Sequence, residues 1–331
     1  MVRFMAVLVA MGVLGCLLGL ASPPAGAPKS APGATPPETD AAAFIVMSFN
    51  IRYGTANDGE NAWPKRRQMV IDRIRASEAD VVGLQEALKP QIDELLAAMP
   101  EYASVGVGRD NGKTRGEHCA ILYRREGLSI QPVSGSVGNK PSPGSGDFWY
   151  SDTPGTPGSK SWGNNITRIC SWARFVRTGT EQAFFVFNTH LDHESQPSRE
   201  KSVLLLKDRI ARRGGREPVI VMGDFNAGEQ NPAIVTMRRV DQPDDAEDPA
   251  CPPLRDSFRV VHPDEKRVGT FNAFKGISTG EKIDYIFVDD GWDVVDAAID
   301  FTMPDGRCPS DHFPVIAALR PKSAATADPK P

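Results

Sequence analysis

Apolar runs that end abruptly on a polar residue are the dominant pattern along this chain. The clearest covers residues 219–222, where four apolar side chains are followed by Gly223, Asp224 and Asn226. A continuous apolar run of this length predicts a strand buried on both faces. Side chains two positions apart on an extended segment point the same way, so we expect Asp224 and Asn226 to stand together at the strand end. The competing interpretation is a loop in which both residues cap the next helix.

The same pattern recurs along the chain and alternates with segments of helical periodicity. Strands are predicted over 44–51, 80–86, 102–107, 119–124, 128–137, 166–176, 183–188, 282–288 and 310–316, and helices after Trp63, around 92–96 and over 198–213. The order strand, helix, strand and further strands occurs twice. Near-continuous apolar strands in that order predict an α/β protein with two mixed sheets packed face to face and helices outside.

A long insertion rich in Gly, Pro and Ser interrupts this pattern at residues 138–165. Loops of this length in a compact domain are usually functional or disordered. The insertion carries the aromatic residues Phe148, Trp149, Tyr150 and Trp162. We expect them, and Trp149 in particular, to form a wall against which substrate binds; a packed surface loop is the alternative.

The chain ends read as targeting and linker segments. Residues 1–21 resemble a secretory signal, with Arg3 before an apolar run and small residues after it. A lipoprotein signal with Cys16 as the lipid-bearing residue is one alternative, and an uncleaved anchor is another. We expect a secreted or periplasmic protein, lipid-anchored if Cys16 is modified. Residues 22–42 and 321–331 are predicted to be a disordered linker and tail, which leaves 43–320 as the folded domain.

Composition narrows the classes of partner. The 331 residues are 40% hydrophobic, enough for a sizeable core, and the net charge of -4 argues against a protein that coats nucleic acid. Nothing implies an obligate protein partner, and we expect a monomer. Cys119 and Cys170 lie in strand-like runs and are expected to be buried thiols, whereas Cys251 and Cys308 lie in loops and are candidates for a disulfide in an oxidising compartment.

The predicted strand ends carry many groups suited to metal and phosphate chemistry. They are Asn50, Glu86, Glu117, Arg168, His190, Asp224, Asn226, Asp284, Asp311 and His312. If they converge, the excess of carboxylates requires a hard divalent cation, Mg²⁺, Mn²⁺ or Ca²⁺ rather than zinc. Arginine and histidine beside a metal suit an anionic substrate, best a phosphate. Taken singly, each has a structural alternative: Glu86 as a helix-dipole partner, His190 as a core histidine, Asp192 and His193 as a turn.

Six short motifs, in a fixed order, make the set specific. Together they resemble the endonuclease/exonuclease/phosphatase superfamily over roughly residues 44–320, with residues 50–63 and 189–193 most like an exported bacterial branch near the deadenylase/nocturnin group. The motifs are Met47-Ser48-Phe49-Asn50, Leu84-Gln85-Glu86, Asn188-Thr189-His190, Gly223-Asp224-Phe225-Asn226, Ile283-Asp284-Tyr285 and Ser310-Asp311-His312-Phe313-Pro314-Val315.

The resemblance implies a fold and a role for each residue. The fold is a four-layered α/β/β/α sandwich with the site at one edge of both sheets. Glu86 and Asp311 would bind Mg²⁺, or Mn²⁺, with Asn50 beside it. Asp224 would orient or deprotonate the attacking water, and Asn226 and Arg168 would bind phosphate with Asp192 nearby. Asp284 would orient His312, which bonds the scissile phosphate, and Glu117 would partner His190 in a second dyad.

The function expected from this resemblance is a metal-dependent phosphoesterase, first of all a phosphodiesterase, acting by in-line attack of an activated water. A 3'-5' exoribonuclease, a sphingomyelinase-like enzyme and a sugar or inositol phosphatase remain open, so the substrate is a phosphorylated small molecule, a lipid or a nucleic acid. A non-catalytic binding protein on the same scaffold is the rival from another class. It would lack one of the acidic or histidine residues, and none is missing here.

Overall fold

Strands and helices alternate as the apolar pattern predicts. The computed structural model describes residues 43–137, 140–180, 182–239 and 251–322, so the predicted signal and linker, and nearly all of the tail, lie outside the described residues. The strands are β1 (Phe44–Asn50), β2 (Val81–Gln85), β3 (Tyr102–Val105), β4 (Ile121–Arg124), β5 (Leu128–Ile130), β6 (Val133–Val137), β7 (Lys140–Ser142), β8 (Ser145–Trp149), β9 (Ile169–Arg177), β10 (Ala183–His190), β11 (Val219–Asp224), β12 (Arg255–Asp256), β13 (Asp284–Val288), β14 (Trp292–Ile299) and β15 (Val315–Pro321). The helices are α1 (Trp63–Ser77), α2 (Lys89–Ala98), α3 (Gln196–Ala211), α4 (Pro232–Arg238) and α5 (Ser257–Val261), with short 3-10 turns at Gly59–Asn61 and Pro304–Gly306.

Two mixed sheets form the body of the domain. The first has the strand order β14-β15-β1-β2-β4-β3, and the second has β12-β13-β11-β10-β9-β5 with β8 also paired to β9. Each sheet contains one parallel pair, β1 with β2 and β10 with β11, and the remaining pairs of this path are antiparallel. Helices α1 and α3 connect the two parallel pairs, so the predicted repetition of strand, helix and strand is confirmed.

Three apolar layers hold the sheets and helices together. Along β1, Phe44 and Val46 face the layer between the sheets, while Ile45 and Met47 face the layer under α1 and α2. A third layer lies between the second sheet and helices α3 and α4. This is why the strands read as continuous apolar runs rather than alternating ones: both faces of each sheet are covered. The predicted α/β/β/α sandwich is confirmed.

Two expectations about loops are corrected. Within the insertion at 138–165, β8 is an edge strand that pairs with β9 in the second sheet, and β7 pairs with β6 in a separate two-stranded sheet. Cys251 and Cys308 are both buried but are not bridged to each other. Cys251 packs in the apolar layer under α3 and α4, whereas Cys308 lies in the loop before the last strand. Within the described ranges, no helix is long and apolar enough to cross a membrane.

Candidate active site

The parallel and antiparallel pairings bring the polar strand ends to one edge. His190 ends β10 directly beside Asp224 of the parallel strand β11, and Asp224 is paired with Asp284 of β13. Asn50 ends β1 in the opposite sheet, and its Nδ2 donates to Asp224 Oδ2 over 3.0 Å. The registers of four strands from two sheets therefore place these side chains within contact of one another.

A pocket of about 630 Å³ opens at this edge, and most of the predicted site residues line it. The lining contains Glu86, Glu117, Arg168, His190, Asp224, Asn226, Asp311 and His312, together with Arg52, Tyr53, Asp58, Arg109, Ile166, His193, Phe271, Ala273, Phe274 and Ile283. Asn50 and Asp284 stand directly behind the lining, bonded to Asp224 and His312.

A buried pair of carboxylates holds His312 in its charged form. His312 Nδ1 lies 2.9 Å from Asp284 Oδ2, and its Nε2 lies 3.8 Å from Asp224 Oδ2. Burial by itself lowers the pKa of His312, but the charges of Asp284 and Asp224 outweigh it and raise the pKa well above the usual value. The imidazolium therefore points Nε2–H into the pocket, where an anion would accept it.

Asp224 is tuned to change its charge near neutral pH. Burial, together with the neighbouring charge of Asp284, raises the pKa of Asp224 to about 7. The backbone N–H of Asn226 donates to Asp224 Oδ1 over 2.9 Å and Asn50 donates to Oδ2. With both oxygens oriented, Asp224 is suited to accept a proton from a bound water.

His190 is neutral, and its hydrogen bonds fix which ring nitrogen carries the hydrogen. The Asn226 amide donates to His190 Nε2 over 3.0 Å, so Nδ1 carries the hydrogen, and this atom has no hydrogen-bond partner among the described residues. Burial lowers the pKa of His190 well below the usual value. Because the second amide hydrogen of Asn226 is directed at Leu191 O, 3.1 Å away, both donors of this predicted phosphate-binding residue already have protein acceptors.

The predicted Glu117–His190 dyad is corrected. Glu117 Oε2 lies 4.0 Å from His190 Nδ1, beyond hydrogen-bond distance. Both oxygens of Glu117 instead accept from the guanidinium of Arg109, over 2.6 and 2.7 Å. A bidentate arginine pair outcompetes a neutral imidazole for a carboxylate. Arg109, which was not predicted from the sequence, thus lines the pocket with its charge balanced by Glu117.

Arg168 faces the pocket, and Asp192 stands behind it. Arg168 Nε donates to Asp192 Oδ2 over 3.3 Å, and Nη2 donates to His193 Nδ1 over 2.7 Å. Asp192 is only 1% exposed, and its Oδ1 accepts the backbone N–H groups of residues 194 and 195. Asp192 therefore positions the arginine and has no place in the pocket lining.

Trp149 does not form the expected aromatic wall. It is 4% exposed, packs with Cys119 and Ile169, and donates from its indole Nε1 to the backbone oxygen of Arg109 over 2.6 Å. An exposed aromatic does reach the pocket from another segment: Phe271, 48% exposed, stands edge-on to His312 with ring centroids 5.2 Å apart. No periodicity in the sequence marks this loop residue.

Five pocket residues have left-handed backbone conformations that a side chain disfavours. Ala273 and Phe274 lie in a loop, with φ values of 52° and 60°, whereas Arg52, Glu86 and Asn226 follow strand ends, with φ values of 55°, 59° and 48°. Such strain costs about 1–3 kcal/mol per residue and persists where the surrounding structure determines it, commonly at functional sites. Arg52, Glu86 and Asn226 each lie one or two residues beyond a strand end, and the left-handed turn brings the side chain to the pocket.

The oxygen atoms around Glu86 and Asp311 suit a hard divalent cation. Burial and the nearby charge of Glu86 both raise the pKa of Asp311, although His312 opposes them. Asn50 donates to Glu86 Oε1 over 3.1 Å, and its own oxygen accepts from Arg52 N over 3.0 Å, leaving one lone pair. An all-oxygen set with two carboxylates fits Mg²⁺ or Mn²⁺.

A second group of possible ligands is less suited to a metal. One ligand atom from each of Asp224, Asp284 and His312 lies within 4.8 Å of the others. However, the imidazolium of His312 already supplies the positive charge between these two carboxylates. A histidine that is protonated cannot ligate a metal through the same nitrogen.

Fold and site together define a deoxyribonuclease-like α/β protein, in which two packed mixed sheets present carboxylates and imidazoles at one edge. The model of the endonuclease/exonuclease/phosphatase family matches residues 47–312, and the chain belongs to that family. Members of this family hydrolyse phosphoester bonds.

Three relatives give the extent of the similarity. An endonuclease/exonuclease/phosphatase of Bacteroides vulgatus is 31% identical, with a TM-score of 0.73 over 85% of this chain and 99% of that one. A mannosyl-6-phosphatase of Bacteroides thetaiotaomicron is 32% identical, with a TM-score of 0.69 over 83% of this chain and 99% of that one. Nocturnin of Drosophila melanogaster is 21% identical over 82% of this chain, which spans 46% of the length of that protein.

Proposed function

We propose that the protein is a divalent-metal-dependent phosphoesterase that uses Asp224 to activate water and His312 to bind the phosphoryl group. The observation that carries the proposal is the pairing of a carboxyl group whose pKa is about 7 with a buried imidazolium, 3.8 Å apart in one pocket. A proton acceptor beside a proton donor is what in-line attack of water on a phosphorus centre requires.

Five residues at the site have a defined task in this reaction. Asp224 accepts the proton of the attacking water, and Asn50 keeps its carboxylate oriented. The imidazolium of His312 donates from Nε2 to a phosphoryl oxygen, and Asp284 holds the ring in that orientation. Arg168 lines the pocket and contributes a further cation for the phosphate oxygens.

The charge balance of the pocket supports the need for a cation. Among the described residues, the lining carries five carboxyl groups against three guanidinium groups and the imidazolium of His312. With all five carboxyl groups ionised, a phosphate would enter a pocket with an excess of negative charge. A divalent cation held by Glu86 and Asp311, with Asn50 beside it, would offset that excess and polarise the phosphoryl oxygens.

The substrate class best supported is a sugar-phosphate monoester. The support is the 32% identity to a protein described as a mannosyl-6-phosphatase, together with a pocket of about 630 Å³ in which Arg168, His312 and the proposed cation would meet a small dianion. A phosphodiester, the class expected from the sequence, is the second candidate. Phe271 favours it, because an exposed ring beside His312 offers a surface for a second ester substituent such as a base.

A panel of substrates tests both the chemistry and the class. Para-nitrophenyl phosphate, bis-para-nitrophenyl phosphate, mannose 6-phosphate, plasmid DNA, RNA and sphingomyelin would each be incubated with and without Mg²⁺. We expect turnover that requires Mg²⁺, is silenced by EDTA and is lost in His312→Ala and Asp311→Ala variants whose far-UV circular dichroism is unchanged. Monoester turnover alone supports the sugar phosphatase, diester turnover the second candidate, and no turnover of any substrate contradicts the proposal.

We also propose that the protein is exported and acts as a monomer. The support is the signal-like sequence of residues 1–21, with Cys16 as the alternative lipid attachment site. Mass spectrometry of the mature N-terminus in wild-type and Cys16→Ser proteins separates plain cleavage from lipidation, and an uncleaved N-terminus contradicts export by either route. Light scattering of the purified protein measures its mass, and the mass of a dimer would contradict the proposed monomer.

A further inference from the structure

The backbone of Arg52 is fixed in a conformation that costs energy. Its φ of 55° is left-handed. Its N–H donates to Asn50 Oδ1 over 3.0 Å, and its carbonyl oxygen accepts from Arg66 Nη2 over 2.9 Å and from Gln91 Nε2 over 3.0 Å. Three side chains thus hold the peptide in place, and the direction in which the Arg52 side chain leaves the backbone is set by the fold.

The guanidinium of Arg52 is also clamped. Nε donates to Asp58 Oδ2 over 3.1 Å and Nη2 donates to Asp58 Oδ1 over 3.2 Å, which makes a bidentate pair. The group also lies over the ring of Tyr53, 4.7 Å from its centroid. The side chain remains 28% exposed and lines the pocket, so this is a fixed positive charge with one side turned to the substrate space.

The clamp holds the guanidinium beside the proposed metal-binding carboxylates without bonding to them. Nη1 lies 4.0 Å from Glu86 Oε2, and Nε lies 3.8 Å from Asp311 Oδ2. Both distances are too long for hydrogen bonds but short enough for strong attraction between charges. Arg52 therefore supplies positive charge beside the pair without occupying a lone pair of Glu86 or Asp311. Glu86 accepts one hydrogen bond on each oxygen, from Asn50 and from the Tyr53 N–H, and Asp311 Oδ1 accepts one from Ser310.

We propose that the guanidinium of Arg52, held in place by Asp58, is a built-in positive charge that disfavours a second divalent ion beside Glu86 and Asp311, so that this site binds a single metal ion. The inference rests on the proposed function, since it assumes that Glu86 and Asp311 hold a divalent cation. A fixed charge at this position also weakens the affinity of the one bound ion by direct repulsion. Removing or releasing that charge therefore changes metal binding in the absence of any substrate.

Binding of Mn²⁺ to the full-length protein, followed by the electron paramagnetic resonance signal of the free ion, tests the inference. We expect one Mn²⁺ per wild-type chain. Arg52→Gln removes the charge but keeps a polar side chain, and we expect it either to bind Mn²⁺ about tenfold more tightly or to bind a second ion. Asp58→Asn releases the guanidinium onto Glu86 and Asp311, and we expect it to bind Mn²⁺ more weakly than wild type.

The matched control is Arg67→Gln, which removes the same charge from an exposed position paired with Glu94. It should bind Mn²⁺ as wild type does, and thermal unfolding followed by circular dichroism should show that all variants fold. Two ions bound to wild type, or an Arg52→Gln variant that matches wild type, would overturn the inference and leave the proposed function standing. No Mn²⁺ bound to wild type would overturn both.

Discussion

The charge on His312 depends on Asp284, and the substitution Asp284→Asn measures that dependence. The pair is buried, with Asp284 1% and His312 5% exposed, and the nitrogen and oxygen are 2.9 Å apart. Hydrogen bonds to charged groups are worth about 1.5–3 kcal/mol, and one pKa unit corresponds to about 1.36 kcal/mol. Asparagine keeps the shape and loses the charge, so the pKa of His312 should fall by about 1–2 units.

The pH dependence of kcat/KM reports this change. The reaction needs His312 protonated, so activity falls at high pH as the imidazolium loses its proton, and Asp284→Asn should move that falling limb to lower pH by about 1–2 units. The histidine Cε1–H signal in NMR gives the same pKa without substrate. Asp72→Asn, at an exposed position on α1, is the control and should leave the limb in place. A falling limb unchanged in Asp284→Asn would refute the assignment of His312 as the charged donor.

The remaining predictions concern the other limb of the profile, the metal and the packing between the sheets. Because Asp224 must be ionised to accept a proton and its pKa is raised to about 7, activity should rise with pH through about 7; a rising limb below pH 5 would contradict this. Mg²⁺ at 100 times its dissociation constant should stabilise the fold by about 2.7 kcal/mol in thermal unfolding, and Glu86→Gln should abolish the shift; an equal shift in both proteins would argue against Glu86 as a ligand. A Cβ at Gly83 would lie 2.7 Å from a sulfur atom of the facing sheet, so Gly83→Ala should cost about 1–3 kcal/mol in urea unfolding, whereas Gly127→Ala, which meets nothing within 4 Å, should cost far less. Equal costs would mean that the sheets are not tightly packed there.

The strand ends could be predicted from the sequence because a buried strand leaves a one-dimensional signal. Residues 219–222 are apolar on both faces, and the first polar side chain after them must emerge at a sheet edge. The same reasoning located Asn50 and His190, whereas Asp284 begins its strand. The pairing of β10, β11 and β13 brings His190, Asp224 and Asp284 together, and a hydrogen bond joins Asn50 to Asp224. Periodicity cannot give the register between strands, and the family motifs supplied only the expectation that the strand ends meet at one edge of both sheets.

Side chains outside the strands were less predictable, because their neighbours come from distant segments. Trp149 looked like a binding residue in a loop, but β8 carries it into the second sheet, where its indole supports the backbone of Arg109. Glu117 was assigned to His190, and no local pattern showed that Arg109 would claim both of its oxygens. Arg52 was not predicted as a site residue. It lines the pocket from a left-handed backbone conformation, and residue type does not indicate that conformation in an arginine.

The position of a metal ion and a phosphate in the pocket tests the central claim most directly. Crystals of the protein grown with Mn²⁺ and inorganic phosphate would locate the ion by its anomalous scattering. We predict one Mn²⁺ between Glu86 and Asp311, and a phosphate oxygen within hydrogen-bond distance of His312 Nε2. Manganese absent from these two carboxylates, or phosphate bound away from His312, would contradict the proposed active site.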